Sequence, residues 1–192
     1  MKTSISQKSP RKPRADAQRN RERILRVAKQ VFTRRGAEAS MDEIAKLTKI
    51  GPGTLYRHFP TRDELLAAVY ISEVEKLAEA QRKFSAELTP IEALRAWILV
   101  FIDYIDAKRI IAPALSAMAC GPAHVYQQTT RVMEEAASAL ASRAVASGDL
   151  RPDVDPMDML RAIYGISSAG STDDWPVKAR RFVDILIQGS RP

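Results

Sequence analysis

Residues 40–64, SMDEIAKLTKIGPGTLYRHFPTRDE, constrain the fold more tightly than any other stretch of this chain. Ser40 with Glu43, and Thr61 with Glu64, carry the capping-box signature of a helix start. Between them Gly51 is placed to cap, Pro52 suits a first helical position, and Pro60 cannot continue a helix. The pattern predicts a short helix after Ser40, a tight turn at Lys49-Ile50, a helix of barely two turns ending near Phe59, and a further helix at once. Met41, Ile44, Ala45 and Thr48 mark one inner face on the first of these. Leu55 and Phe59 are the two obvious core residues of the second.

Setting Leu55 inward and stepping 100° per residue turns Gly53 and Arg57 away from the core, flanked by Thr54, Tyr56 and His58. The preceding helix is expected to start near Asp16. Its buried face is Ile24, Val27, Ala28, Val31 and Phe32, its last turn holds Arg34 and Arg35, and Gly36 stands at its end. Two short helices joined by a tight turn, with another packed across them, make a helix-turn-helix. The outward set suits a DNA major groove. Arg57 can donate two hydrogen bonds to a guanine edge, and Gly53 permits close backbone approach. Thr54, Tyr56 and His58 can bond phosphates, as can the N–H groups at the helix starts after Ser40, Gly51 and Thr61. The alternative is that Tyr56 and His58 pack locally and Arg57 is solvated.

Charge separates along the chain. Residues 1–62 hold 16 Lys/Arg and 5 Asp/Glu, whereas residues 63–192 hold 14 and 18, so the net +7 arises in the first third. A polyanion partner for that third, most simply nucleic acid, is one reading, and a solvated basic face is the other. Residues 1–15 carry five cations and no acid and read as a disordered basic arm.

The remainder reads as all-α, with about nine helices in the whole chain and no alternating strand pattern. Thr61 opens a long helix bearing Leu65, Leu66, Val69, Tyr70, Val74 and Leu77. Thr89-Pro90-Ile91-Glu92 opens another, apolar almost all round and therefore surrounded by others. Pro113, Gly121 and Pro122 are expected to break up the next stretch. A helix follows over 123–147 until Gly148, another starts at Asp155-Pro156, and the last runs over 174–188. The organisation expected is a basic arm (1–15), a helix-turn-helix domain (16–61) and a helical ligand-binding and dimerisation domain (62–192).

Ser40-Met41-Asp42-Glu43-Ile44-Ala45, Gly51-Pro52-Gly53-Thr54-Leu55-Tyr56-Arg57-His58-Phe59 and Leu65-Leu66 resemble the DNA-binding domain of the tetracycline-repressor (TetR) family of bacterial transcription regulators. The likeness covers about residues 20–70, and Gly148–Asp153 is similar to the loop before the dimer-forming helices of many members. It implies a helical homodimer placing its third helices in the major grooves of a palindromic operator on double-stranded DNA. It also implies a small-molecule effector that releases a repressor. Thr54, Tyr56 and His58 fall where members contact DNA, Arg57 fills the variable position, and Arg62 matches a residue that meets phosphate. Lys49 departs from the family's usual glycine. The candidate DNA-binding set is Ser40, Met41, Lys49, Gly51, Gly53, Thr54, Tyr56, Arg57, His58 and Arg62.

In the second half Trp97, Phe101 and Tyr104 lie at i, i+4, i+7. Their default role is core, but the resemblance places an effector cavity there, with Met118, His124, Tyr126 and Met133 completing its wall. That lining suits an apolar or aromatic effector. Ile163 and Ile166, with Phe182 and Leu186, are the candidate dimer interface.

Enzymatic chemistry finds no support. His58 and His124 are the sole histidines, Gly165–Gly170 fails the nucleophile-elbow pattern, and no phosphate-binding loop or dinucleotide fingerprint occurs. Cys120 and His124 are interrupted by Gly121-Pro122, so no metal or other cofactor is expected. One cysteine, no apolar run near the roughly 18 residues of a membrane span, and no signal-like segment after the basic start point to a cytoplasmic protein. Two alternatives stand beside the regulator: a DNA-coating protein without sequence preference, and a helical small-molecule-binding protein whose basic start is incidental.

Overall fold

The computed structural model describes residues 12–169 and 174–192, without the side chains of 12–14, 124 and 128. Among these residues all regular structure is helical: α1 (Lys12–Arg35), a 3₁₀ turn (Gly36–Glu38), α2 (Met41–Thr48), α3 (Pro52–His58), α4 (Arg62–Glu87), α5 (Pro90–Ser116), α6 (Ala123–Ala146), α7 (Pro156–Ser168) and α8 (Trp175–Gly189). The chain divides into two compact units, residues 1–69 and 70–192.

In the first unit α1 is already helical at Lys12, ahead of Asp16, and packs on α2 and the 3₁₀ turn. Residues 1–11 of the basic arm lie outside the described residues. Ile24, Ala28, Val31 and Phe32 of α1 are buried, as are Ile44 and Ala45 of α2, Leu55 of α3, Phe59, and Leu65, Leu66 and Val69 of α4. Ser40 caps α2: its Oγ accepts a hydrogen bond from the Glu43 N–H at 3.1 Å. Thr61 does the same for Glu64 at 3.1 Å.

The turn between α2 and α3 is shaped by two residues. Lys49 is left-handed, with φ 55° and ψ 26°, a conformation that costs a lysine about 1 kcal/mol relative to glycine. Thr48 is buried, and its hydroxyl donates to the Ala45 carbonyl at 2.9 Å while accepting from the Ile50 N–H at 3.4 Å. The Thr48 hydroxyl thus ties the last turn of α2 to the residue after Lys49.

In the second unit α5 is the central element, packed by α6, α7 and α8. Its buried residues include Leu94, Trp97, Ile98, Phe101, Ile102, Ile105 and Ile111, and with Ala107 and Ala114 they cover about two thirds of its circumference. Pro113 does not break it, contrary to expectation. The proline sits inside α5, which continues to Ser116, and the break falls over Ala117–Pro122, where Gly121 has φ +66°. Proline removes one N–H near the helix end, and the packing of Ala114 and Leu115 outweighs that loss. α6 stops before Gly148, at φ +77°, where the Asp149 and Leu150 N–H groups donate to the Ala144 carbonyl. Asp155 caps α7, accepting from the Met157 N–H at 2.7 Å. Ion pairs Arg95–Asp184, at 2.6 Å, and Arg180–Asp103 join α5 to α8.

Candidate functional site

α3 has the polarity the sequence anticipates. Leu55 is fully buried and Phe59 nearly so, while Tyr56 is 43% exposed. Gly51, Gly53 and Arg57 are also exposed, and Thr54 and His58 are half-buried on the flanks. A Cβ on Gly53 would meet nothing within 4 Å. Internal packing therefore gives no reason for a helix-weakening glycine at that position. Gly51 N-caps α3 without a side chain and Pro52 occupies its first turn, so the helix start is open. Lys49 stands exposed beside it. One face of the unit thus combines guanidinium, phenol, hydroxyl, imidazole and ammonium groups. That is a set able to contact base edges and phosphates.

Two members of the candidate set are placed differently. The Met41 side chain is 8% exposed and belongs to the core, so what Met41 offers outward is its position in the first turn of α2. Arg62, expected at a phosphate, is turned inward. Its Nε donates to the Ala39 carbonyl at 3.0 Å, and its Nη2 donates to the carbonyls of Gly36 at 3.0 Å and Ala37 at 3.1 Å. Nη1 lies 3.6 Å from the Asp63 carboxylate, and the guanidinium covers the Phe32 ring at 5.2 Å. Arg62 therefore fastens the start of α4 to the residues that end α1 and precede α2. The signal missed in the sequence is that the 3₁₀ turn exposes carbonyls, and a planar five-donor group is the side chain that saturates them.

The second unit holds a cavity of about 280 Å³. α5 contributes Phe101, Tyr104, Ile105 and Lys108, and α6 contributes Thr130 and Met133. Met157, Leu160, Arg161, Tyr164 and Gly165 of α7 close the third side. Phe101, Tyr104 and Met133 of the candidate set thus line this cavity. Trp97 is not: it is fully buried, donates its indole N–H to the Leu77 carbonyl at 2.8 Å, and stacks on Phe101 at 6.0 Å. Met118 is buried away from the lining, and the His124 side chain lies outside what is described. The α7 wall was unforeseen, because that helix reads as a dimer surface.

Behind the cavity the Tyr70 and Tyr104 hydroxyls meet at 2.5 Å, with the Thr129 hydroxyl 3.4 Å from that of Tyr70. Burial, reinforced by Tyr70, holds the Tyr104 phenol well above its usual range, so it stays protonated. Tyr126 is raised by burial in the same way. Lys108 rests on the Tyr126 ring at 4.5 Å, and burial lowers the pKa of its ammonium.

Of the candidate dimer residues, Ile163 is fully buried within its own chain, whereas Ile166, Phe182 and Leu186 are half-buried. Tyr164, Val177 and Ile185 are large apolar residues left exposed on α7 and α8, Ile185 by 64%. Among the described residues no cluster of three or more His, Cys, Asp or Glu is placed to hold a metal. No helix among them is long and apolar enough to cross a membrane.

A helix-turn-helix with an outward-facing third helix, followed by a helical unit that holds a cavity, is the plan of a DNA-binding regulator, and comparison with known proteins agrees. Residues 24–69 match the family of bacterial regulatory proteins, tetR family, and residues 89–192 match the C-terminal domain of SbtR-like transcriptional regulators. The TetR-family regulator SCO0520 from Streptomyces coelicolor superposes with a TM-score of 0.78 at 40% identity, covering 90% of this chain and 98% of that one. A TetR regulator from Mycobacterium vanbaalenii gives 0.74 at 30% identity, covering 93% and 99%. The HTH-type transcriptional regulator UidR of Escherichia coli is 35% identical over 91 residues, 47% of this chain; the match spans only 41% of UidR's length. The chain belongs to the TetR family of transcriptional regulators.

Proposed function

We propose that this protein is a homodimeric repressor that binds a palindromic operator and is released from it by a small molecule. The observation that carries this reading is the geometry of α3: Leu55 and Phe59 anchor it, and Gly53, Tyr56 and Arg57 face outward. Arg57 reads a base edge in the major groove, and Thr54, Tyr56, His58 and Lys49 bond phosphates. Family membership supports DNA binding, and the excess of cations within residues 1–62 supplies its electrostatic attraction.

Two copies are required because a palindrome has twofold symmetry. The half-buried Ile166, Phe182 and Leu186, with exposed Tyr164, Val177 and Ile185, supply an apolar surface on α7 and α8 for a four-helix intersubunit bundle. The two recognition helices must then lie about 34–36 Å apart, or a multiple of that. The effector occupies the α5–α7 cavity. It works by binding a state with a different spacing more tightly than the operator-bound state, since a ligand shifts an equilibrium only by its differential affinity. α4 is one unbroken helix from Arg62 to Glu87 and is the element through which the change passes. The DNA-binding role proposed here goes with a cytoplasmic protein.

Selection of DNA from a random pool by the full-length protein tests this reading. The expected product is a palindromic consensus bound by a dimer. Recovery of unrelated sequences, bound with steep salt dependence, would replace it with the sequence-indifferent DNA-coating alternative.

A further inference from the structure

The cavity in the second unit is apolar on most of its surface, yet its titratable lining is unbalanced. Lys108 and Arg161 border it, and no carboxylate does among the described residues. The two cations differ. Arg161 is at the exposed rim and already holds Asp158 at 2.5 Å and Asp155 at 3.9 Å. Lys108 is half-buried, and among the described residues it has no ion pair, only the face of Tyr126. Half-burying an ammonium against apolar groups without a counter-charge is unfavourable, and such a group in a cleft marks a candidate functional site. Tyr104, held protonated at the same wall, can donate a hydrogen bond but brings no negative charge.

From this charge imbalance we infer that the cavity selects a small amphipathic carboxylate, whose apolar body lies against Phe101, Met133 and Leu160 and whose carboxylate pairs with Lys108. This assignment rests on the proposed effector role of the cavity and adds to it the chemical class of the ligand. The volume of about 280 Å³ suits a fused bicyclic aryl or a medium alkyl body. Charge-assisted pairing in a half-dry site is strong enough to set preference between an acid and its neutral isostere. Arg161 is a minor contributor because its aspartates already neutralise it.

The test is calorimetric titration of the full-length protein with 1-naphthoate and octanoate, each against its primary amide. The acids should bind at least about tenfold more tightly than the amides in the wild-type protein. Lys108→Met should abolish that preference, the acids losing more affinity than the amides, and Arg161→Gln should keep most of it. Equal binding of acid and amide, a preference that survives Lys108→Met, or binding of none of the four probes would each overturn the assignment. Operator affinity of Lys108→Met, followed by fluorescence anisotropy, separates this outcome from the larger reading. Loss of carboxylate preference with DNA binding intact bears on the ligand class alone, whereas absence of sequence-specific DNA binding in the wild type removes the regulator.

Discussion

α3 and α5 make opposite use of a helix. α3 spans seven residues and buries Leu55 alone, with Phe59 just beyond its end. α5 spans 27 residues, and its buried side chains lie around most of its circumference. A helix as short as α3 has no stability of its own. It exists because its caps, the Lys49 turn and two buried side chains hold it, and everything else on it is left facing outward. α5 is the reverse: its side chains build the interior, and its share of the cavity is one stretch of wall, completed by α6 and α7. The lesson is that the outward polar set of the first unit is concentrated in consecutive residues, whereas the cavity of the second is assembled from residues far apart in the chain.

Substitutions in the first unit can break or sharpen that contrast. The largest effect is expected from Leu55→Ala, which removes the anchor of α3 and should destabilise the unit by about 2–5 kcal/mol in chemical denaturation. A change below about 1 kcal/mol would mean that α3 is held by its turns rather than its core. Arg62→Met keeps the apolar stem but leaves the carbonyls of Gly36, Ala37 and Ala39 without their donor, and should cost roughly 2–3 kcal/mol. If thermal stability is instead unchanged and the salt dependence of DNA binding falls by about one ion, Arg62 serves phosphate after all.

Arg57→Ala should leave stability within about 0.5 kcal/mol of wild type, since an exposed side chain has little to lose. It should weaken operator binding by about 1–3 kcal/mol and relax preference at one position per half-site. An equal loss on random DNA would take base readout away from Arg57. Smallest is Gly53→Ala, which should raise stability by about 0.5–1 kcal/mol because the added Cβ meets open space. Operator affinity should nevertheless fall; affinity that rises with stability would show that DNA does not approach there.

The first unit is the more legible of the two for physical reasons. Caps, prolines and the Leu55 periodicity are local, and they specify α2, α3 and the outward set without reference to the rest of the chain. Arg62 escaped because its partners are carbonyls more than 20 positions earlier, and a backbone acceptor has no signature in residue identity. In the second unit helical spacing groups Phe101 and Tyr104, whereas Met133 enters only through the family resemblance. Trp97 obeys the same spacing but became core once the Leu77 carbonyl claimed its indole N–H. Lys108, Met157, Leu160 and Tyr164 converge through tertiary packing, which periodicity along a single helix does not encode. Pro113 misled for a related reason: local propensity argued for a break, and burial of α5 overrode it.

That proline has a mechanical consequence. Lacking an amide proton, Pro113 releases the carbonyl of Arg109, so the last turn of α5 is tied to the rest of the helix by one bond fewer than any turn before it. Arg109 also lays its guanidinium over the Trp175 ring at 5.5 Å, at the start of α8. The tip of α5 is thus held by side-chain burial, at Ile111, Ala114 and Leu115, more than by its backbone ladder, and it loosens only when the interior of the bundle does.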